Sequence, residues 1–448
     1  MRQSSTPNKV ILAHRWKQHL RHKPYNAELS SKLYGDSSAS KQMKVKTPRM
    51  TTIGHFFSKM SLSCKRINKN KIKISLPNDF CIFSNPETVI KLCGQAFSYF
   101  RKPHLESIHV RHTGIKKYSL GSEVLFGLSC AEGEKYREHN KLTPIALDGY
   151  LPENNDHESI IRDLGVISEL NSVSATKVKT EQNPLLVHVF KSECLTHDTP
   201  SGLAKDKKNK TTNDVILHLN QCLKDYQLEL KEEAAQRFRN CISEMLDNAV
   251  EHCKLTHPAW YVRSYLNSNG KDRFFELSIW NFGRSYADSF MKLDKDHFAR
   301  EFVDKYIKKH RGLFDASSLY TVVALQGRVS SKNTNELDSR GQGTIVLIES
   351  FEKMYKELKA LRPSIKGNND SVMNLISGNT IIHFDGKFCS RTIPLDDGGE
   401  RVIYPINSEQ NLGIPPSRKH VLKMNNAYFP GAMINIRLPL TESIVSVA

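Results

Sequence analysis

Apolar and polar positions follow two successive rhythms along this chain. From about residue 71, short apolar runs alternate with amphipathic segments. Lys71–Pro77 alternates as a strand does, and the run near Cys81–Phe83 reads as another. Pro86–Phe100 then carries Val89, Leu92, Cys93, Ala96, Phe97 and Phe100 at helical spacing. The cycle repeats with a strand at Leu105–Val110 and a helix over Leu120–Glu138. It repeats again with a strand at Thr143–Gly149, a helix over His157–Leu170 and a short strand at Leu185–Phe190. This order predicts a small α/β layer domain over residues 71–200. Residues 201–213 are polar and lysine-rich, which predicts a linker.

The second rhythm covers residues 214–440. A long helix begins near Asp214 or restarts near Glu229. Phe238, Cys241, Ile242, Met245, Leu246 and Ala249 form one continuous apolar stripe along it. Tyr261–Leu266 and Phe274–Trp280 flank an Asn269-Gly270 turn signal, which predicts a hairpin. An apolar helix follows Gly343, and strands are expected at Thr380–Gly386 and Pro430–Leu440. The fold class is α/β in the broad sense, with α+β character in this second part. Trp260 and Trp280 are expected in the core of its sheet rather than as stacking platforms.

Charge changes the picture at the N-terminus only. The net charge is +18, but residues 1–75 hold 17 Lys and Arg against 2 Asp and Glu, leaving the rest nearly balanced. Residues 1–70 lack a sustained period and predict a basic, largely disordered arm, which could hold nucleic acid or an acidic partner. A merely solvated extension explains the same composition. The sequence shows neither a secretory signal nor a run of about 18 apolar residues, so the expectation is a cytoplasmic protein with no membrane partner. Nine scattered cysteines without a C-x-x-C pair point to reduced, structural thiols. His252, Cys253 and His257 lack a second ligand pair at structural-zinc spacing.

Three short blocks in the second part carry chemistry. The first is EMLDNAVEH, where Glu244 and Asn248 lie four apart and share one helix flank. A carboxylate and a carboxamide so placed can position a water against a γ-phosphate and complete the shell of a Mg²⁺ ion. They can equally form the wet side of an ordinary amphipathic helix. The second is WNFGRS, with Asn281 at a strand end and Gly283 permitting close backbone approach. The third is SRGQGT, where Gly341, Gly343 and Thr344 open a helix whose free N–H groups suit an anion. A flexible glycine-rich loop explains that block by itself.

In this order the blocks resemble the N, G1 and G2 boxes of the GHKL superfamily, whose members include DNA gyrase, mismatch-repair ATPases and histidine kinases. The resemblance implies a two-layer α/β sandwich binding ATP and Mg²⁺. It implies Glu244 as the water-positioning base, Asn248 as the Mg²⁺ ligand and Asn281 as the adenine contact, with Gly283 allowing the approach. Gly341, Gly343 and Thr344 would cradle the phosphates. Gln326–Asp338 would be a mobile lid from which Ser330, Ser331 and Lys332 reach them. The family's G1 box normally opens with Asp. Asn281 is neutral, but its amide oxygen can still accept from the adenine amino group. Arg284 and Ser285 stand where a second glycine is usual. The region before residue 200 loosely resembles a STAS domain, the small fold that partners some GHKL kinases.

Fold does not decide what the ATP is used for. The acidic Glu244 favours an ATPase or ATP-gated signalling switch working through a protein partner or self-association. A serine or histidine protein kinase of the anti-sigma type shares the Glu-x-x-x-Asn pattern. A nucleic-acid-binding module with ATP as modulator would rest on the basic arm.

Overall fold

The first described helix, α1 (Thr52–Met60), lies inside the segment expected to be a disordered arm. Ile53, Phe56, Phe57 and Met60 recur at i, i+3, i+4 and i+7, and Phe57 and Met60 are fully buried. The basic composition around it had masked that stripe, so the arm expectation is corrected over these residues. The structure, a computed structural model, describes residues 49–62, 69–172, 187–194, 201–224, 228–252, 259–267, 274–294, 296–297, 299–330, 343–361, 371–395, 398–439 and 445–446. All of them belong to one compact unit, Arg49–Ala448. The remainder of the predicted arm, residues 1–48 and 63–68, lies outside the described residues.

The first part runs β1 (Lys71–Ser75), β2 (Asp79–Phe80), α2 (Pro86–Phe100), β3 (Ser107–Arg111), β4 (Lys117–Tyr118), α3 (Leu120–His139), β5 (Ala146–Tyr150), α4 (Asn155–Asp163) and α5 (Val166–Asn171). β1, β3 and β5 form a parallel sheet in the order β1-β3-β5. Cys81–Phe83 is a turn after β2 rather than a strand. The helix expected over 157–170 is two helices that meet at Gly165, the N-cap of the second.

The second part runs β6 (Val187–Cys194), α6 (Ser201–Lys224), β7 (Leu228–Glu229), α7 (Glu232–His252), β8 (Ala259–Asn267), β9 (Phe274–Phe282), α8 (Tyr286–Met291), α9 (Ala299–His310), α10 (Ala316–Ala324) and α11 (Gly343–Leu361). It continues with β10 (Val372–Gly378), β11 (Thr380–Phe384), β12 (Arg391–Pro394), β13 (Glu400–Ile403), β14 (Val421–Lys423), β15 (Phe429–Pro439) and β16 (Val445–Ser446). A seven-stranded sheet has the order β14-β11-β10-β15-β9-β8-β6, and every neighbouring pair is antiparallel. The strand near residue 190 thus joins the large sheet. Residues 201–213, expected as a linker, form the first half of α6. The continuing stripe Val215, Ile216, Leu219, Cys222 and Leu223 docks that helix, and Thr211 and Thr212 are buried with it.

The large sheet buries both faces. On one, Trp260, Val262, Leu277, Ile279, Ile434 and Ile436 share a core with α6, α7, α9, α10 and α11. On the other, Tyr261, Tyr265, Trp280, Phe282 and Met433 share a core with α1, α2, α3 and the inner residues of the small sheet. The mixed α/β class stands, but a two-layer sandwich does not describe this sheet, which carries helices on either side. β9 shows why. Phe275, Leu277 and Ile279 point one way and Trp280 and Phe282 the other, the near-continuous apolar run of a strand with no wet face.

Several polar side chains between the layers are paired. Ser278 Oγ donates to Asn435 Oδ1 at 2.7 Å, Asn435 Nδ2 to Asn374 Oδ1 at 2.9 Å, and Asn374 Nδ2 to the Ile82 carbonyl at 2.7 Å. Arg263 is fully buried; it donates to Glu169 Oε1 on α5 at 3.1 Å and to Glu193 on β6, and lies over the Tyr261 and Trp280 rings. Trp260 and Trp280 are core residues, 0% and 1% exposed.

Candidate functional site

The floor of the candidate site is α7. Ala235, Phe238, Cys241, Ile242, Met245, Leu246 and Ala249 are all buried along one stripe, while Glu232 and Glu233 in the first turn suit the positive end of the helix dipole. Glu244 is half-buried on the flank of that stripe. Burial pushes the Cys241 thiol up, and the nearby Glu244 carboxylate adds to the shift. Asp247 is occupied elsewhere, taking the Lys208 ammonium of α6 at 2.6 Å. Asn248 lies one turn beyond Glu244 on the same helix; its side chain lies outside the described residues.

Asn281 sits next to last on β9, 7% exposed and paired across the sheet with Trp260 and Ala432. Strand alternation puts its side chain on the face of Leu277 and Ile279, which is the face that α7 and α11 cover. The strand end is pinched. A Cβ on Gly431, at φ 133°, would fall 2.0 Å from the Asn281 carbonyl oxygen, so only glycine fits beside it. Gly283 takes φ 146° and donates its N–H to the Pro430 carbonyl at 3.2 Å.

Arg284 and Ser285, the departure from the usual glycine pattern, lead directly into α8. Ser285 Oγ accepts the Asp288 N–H at 3.1 Å and donates to Asp288 Oδ2 at 2.8 Å, a reciprocal N-cap. Tyr428 also donates to Asp288 Oδ2, at 2.6 Å; burial first, then this carboxylate, push its phenol up to about 12. Ser377 Oγ accepts the Tyr286 N–H at 2.9 Å and donates to the Gly431 carbonyl at 2.7 Å. The turn after Asn281 is therefore fastened to β10 and β15.

Gly343 opens α11, and Thr344 beside it is 6% exposed. Thr344 interacts with the half-buried Tyr286; burial raises that phenol and a hydrogen bond with Thr344 works against the rise. Gly341, Ser331 and Lys332 lie outside the described residues. The start of the expected lid, by contrast, is fixed. Gln326 is fully buried, its Nε2 donates to the Val322 carbonyl at 2.6 Å and the Tyr404 carbonyl at 3.1 Å, and its Oε1 accepts the Tyr404 N–H at 2.8 Å. Gly327 donates to the Val402 carbonyl at 2.8 Å. A mobile lid beginning at Gln326 is thereby corrected, because residues 326–327 are stitched to the β13 region.

Met245 and Leu246 of α7, Ile345 and Ile348 of α11, and Leu277 and Ile279 of β9 belong to one core, and Tyr286, which follows the second block, interacts with Thr344 of the third. Tyr286, Ser377 and Tyr428 were not singled out in the sequence; only their positions after a strand end or beside a glycine could have flagged them. Among the described residues no group of three or more His, Cys, Asp or Glu side chains is arranged to hold a metal ion. No described helix is long and apolar enough to cross a membrane.

A second buried polar cluster lies in the first part and was also missed. Glu123 on α3 is fully buried, with Oε1 2.6 Å from His157 Nε2 and Oε2 3.5 Å from His112 Nε2. Tyr118 stacks on His157 at 4.1 Å. Comparisons with protein-family models, curated proteins and solved structures found no match for the chain.

Proposed function

We propose that the chain binds Mg·ATP at the junction of α7, the end of β9 and the start of α11, as a GHKL-type ATPase or ATP-gated switch. The observation that supports this reading is that the elements carrying Glu244, Asn281 and Gly343 share one core, with Tyr286 after the second block interacting with Thr344 of the third. The donors suit the ligand. The first N–H groups of α11 lack intrahelical acceptors, and the helix end favours a polyanion. Mg²⁺ takes one or two protein oxygens and otherwise phosphate and water, so the Asn248 carboxamide is a sufficient protein donor. Asn281 faces the helix layer, where its amide oxygen can accept from an adenine amino group.

Within this reading, Mg²⁺ supplies charge neutralisation to the triphosphate. Glu244, half-buried one turn before Asn248, orients water toward the terminal phosphate. Thr344 would line the phosphate cradle, and the resemblance assigns Gly341 and Lys332, outside the described residues, to it as well. A calorimetric titration with Mg·ATP, paired with incubation in γ-labelled ATP and separation of free phosphate from labelled protein, tests the assignment. Binding with release of free phosphate is the expected result. Label retained on the protein would favour the kinase class, and absence of binding at millimolar Mg·ATP would remove the proposal.

A further inference from the structure

Parallel sheets are almost always covered on both faces, because their crossover helices lie there. Among the described residues, the β1-β3-β5 sheet is covered on one. Ile72, Ile74, Ile108 and Val110 point into the core shared with α2 and α3. The opposite face is a three-by-three grid set by the register: Lys71, Ser107 and Ala146 in one row, Lys73, His109 and Asp148 in the next, Ser75, Arg111 and Tyr150 in the last. Lys71, Lys73, Arg111, Asp148 and Tyr150 are all exposed, Tyr150 to 60%.

We propose that this open face binds single-stranded nucleic acid. Three cations stand against one carboxylate, and that carboxylate is engaged: His109 Nδ1 lies 2.7 Å from Asp148 Oδ1. His109 in turn braces Tyr150 edge-on, with ring centroids 4.9 Å apart. The grid thus pairs a fixed, exposed aromatic ring with cations about 6.6 Å apart along β1, a spacing that suits successive phosphates of an extended strand. Aromatic platforms beside basic tracks are how unpaired strands are held, with bases stacked and phosphates neutralised. The face spans about 10 Å, two inter-strand spacings, which accommodates one strand. Residues 1–48 carry Lys and Arg in large excess over Asp and Glu, the same sign as the face, and so do not complement it. An acidic peptide would match the cations but would gain little from Tyr150.

The test uses the full chain and a fluorescein-labelled oligo(dT) or oligo(U) of about 20 nucleotides, read by anisotropy between about 50 and about 200 mM salt. Wild-type affinity should fall steeply with salt. The double variant Lys71→Glu/Lys73→Glu should bind at least about tenfold more weakly, with the log–log salt slope flattened by about 1.4, the loss of two single-strand contacts. Tyr150→Ala should bind about fivefold or more weakly with its slope unchanged. These side chains are exposed, so both variants should keep the wild-type melting temperature. The proposal is overturned if wild type does not bind at low salt. It is equally overturned if both variants bind as wild type does, which would assign binding to the basic N-terminal segment. Weakening by charge reversal without any effect of Tyr150→Ala would overturn it in favour of an acidic-segment site.

Discussion

The Glu276 carboxylate on β9 accepts the first backbone N–H of α3, from Leu120, at 2.7 Å across 156 residues of sequence. The same carboxylate pairs with Arg437 on β15 and is 2% exposed. One side chain thus satisfies a helix N-terminus and a cation where the first part of the chain meets the large sheet. Glu276→Ala leaves the Leu120 N–H unpaired and strips the part-buried Arg437 of its carboxylate, leaving it the Tyr118 carbonyl, and should destabilise the protein by about 3 kcal/mol. Urea unfolding would read this as a lower midpoint with an unchanged slope, and a variant as stable as wild type would show that the joint contributes nothing.

For several elements the hydrophobic period was sufficient, although it missed the turn at Cys81–Phe83 and the break at Gly165. The helix expected over Pro86–Phe100 runs between those residues, the two strands flanking Asn269-Gly270 pair antiparallel, and α11 begins at Gly343. Charge hid one element and half of another. The lysines of the N-terminal stretch obscured α1 and those of residues 201–210 the first half of α6, although a helix needs only one apolar stripe to dock. The covering of the second sheet face was written in β9, but strand alternation does not say what lies opposite. Glu244, Asn281 and Gly343 were visible as motif positions. The Tyr286–Thr344 bond was not, because it joins residues whose separation in sequence has no period.

Glu123 gives a prediction with a definite sign. Burial alone would raise its carboxyl, but His112 and His157 outweigh burial and hold it at about 2, against an ordinary value of 4.5. A carboxyl lowered by folding stabilises fully above its unfolded value. That contribution is lost as pH falls from about 4.5 toward about 2. Glu123→Gln should therefore cost on the order of a few kcal/mol at pH 7, and progressively less as pH is lowered through that window. Paired denaturation curves at pH 7, 4 and 3 would measure the gap; a gap that stays constant would refute the linkage.

Gly431 separates fold from site at one residue. Its φ of 133° and the 2.0 Å approach of an added Cβ to the Asn281 carbonyl mean that Gly431→Ala must push β15 away from the end of β9. The expected result is destabilisation by about 1–3 kcal/mol together with weakened Mg·ATP binding, since Asn281 and the Ser377 acceptor at Gly431 move with the strand. Gly398→Ala is the control. It also replaces a glycine of positive φ, 76°, but nothing lies within 4 Å of its added Cβ. Equal loss of nucleotide binding in both variants would mean that the effect is not local to β9.

The nucleotide site itself predicts three different failures from three substitutions. Asn248→Ala removes the proposed Mg²⁺ oxygen and should abolish most Mg-dependent affinity, because the ion is the largest charge holding the triphosphate. Glu244→Ala deletes the water-positioning group and leaves the start of α11 untouched, so Mg·ATP should still bind while phosphate release slows by about 10²-fold or more. Gly343→Val places a branched side chain at the first residue of α11, where the phosphates must approach the backbone, and should block binding with or without Mg²⁺. Calorimetry with and without Mg²⁺, combined with a phosphate-release assay, distinguishes the three. Glu244 is half-buried on the flank of the α7 stripe, so its replacement should leave the melting temperature close to that of wild type. Loss of binding in Glu244→Ala would move that residue from chemistry to ligand holding, and unchanged turnover would remove it from the site.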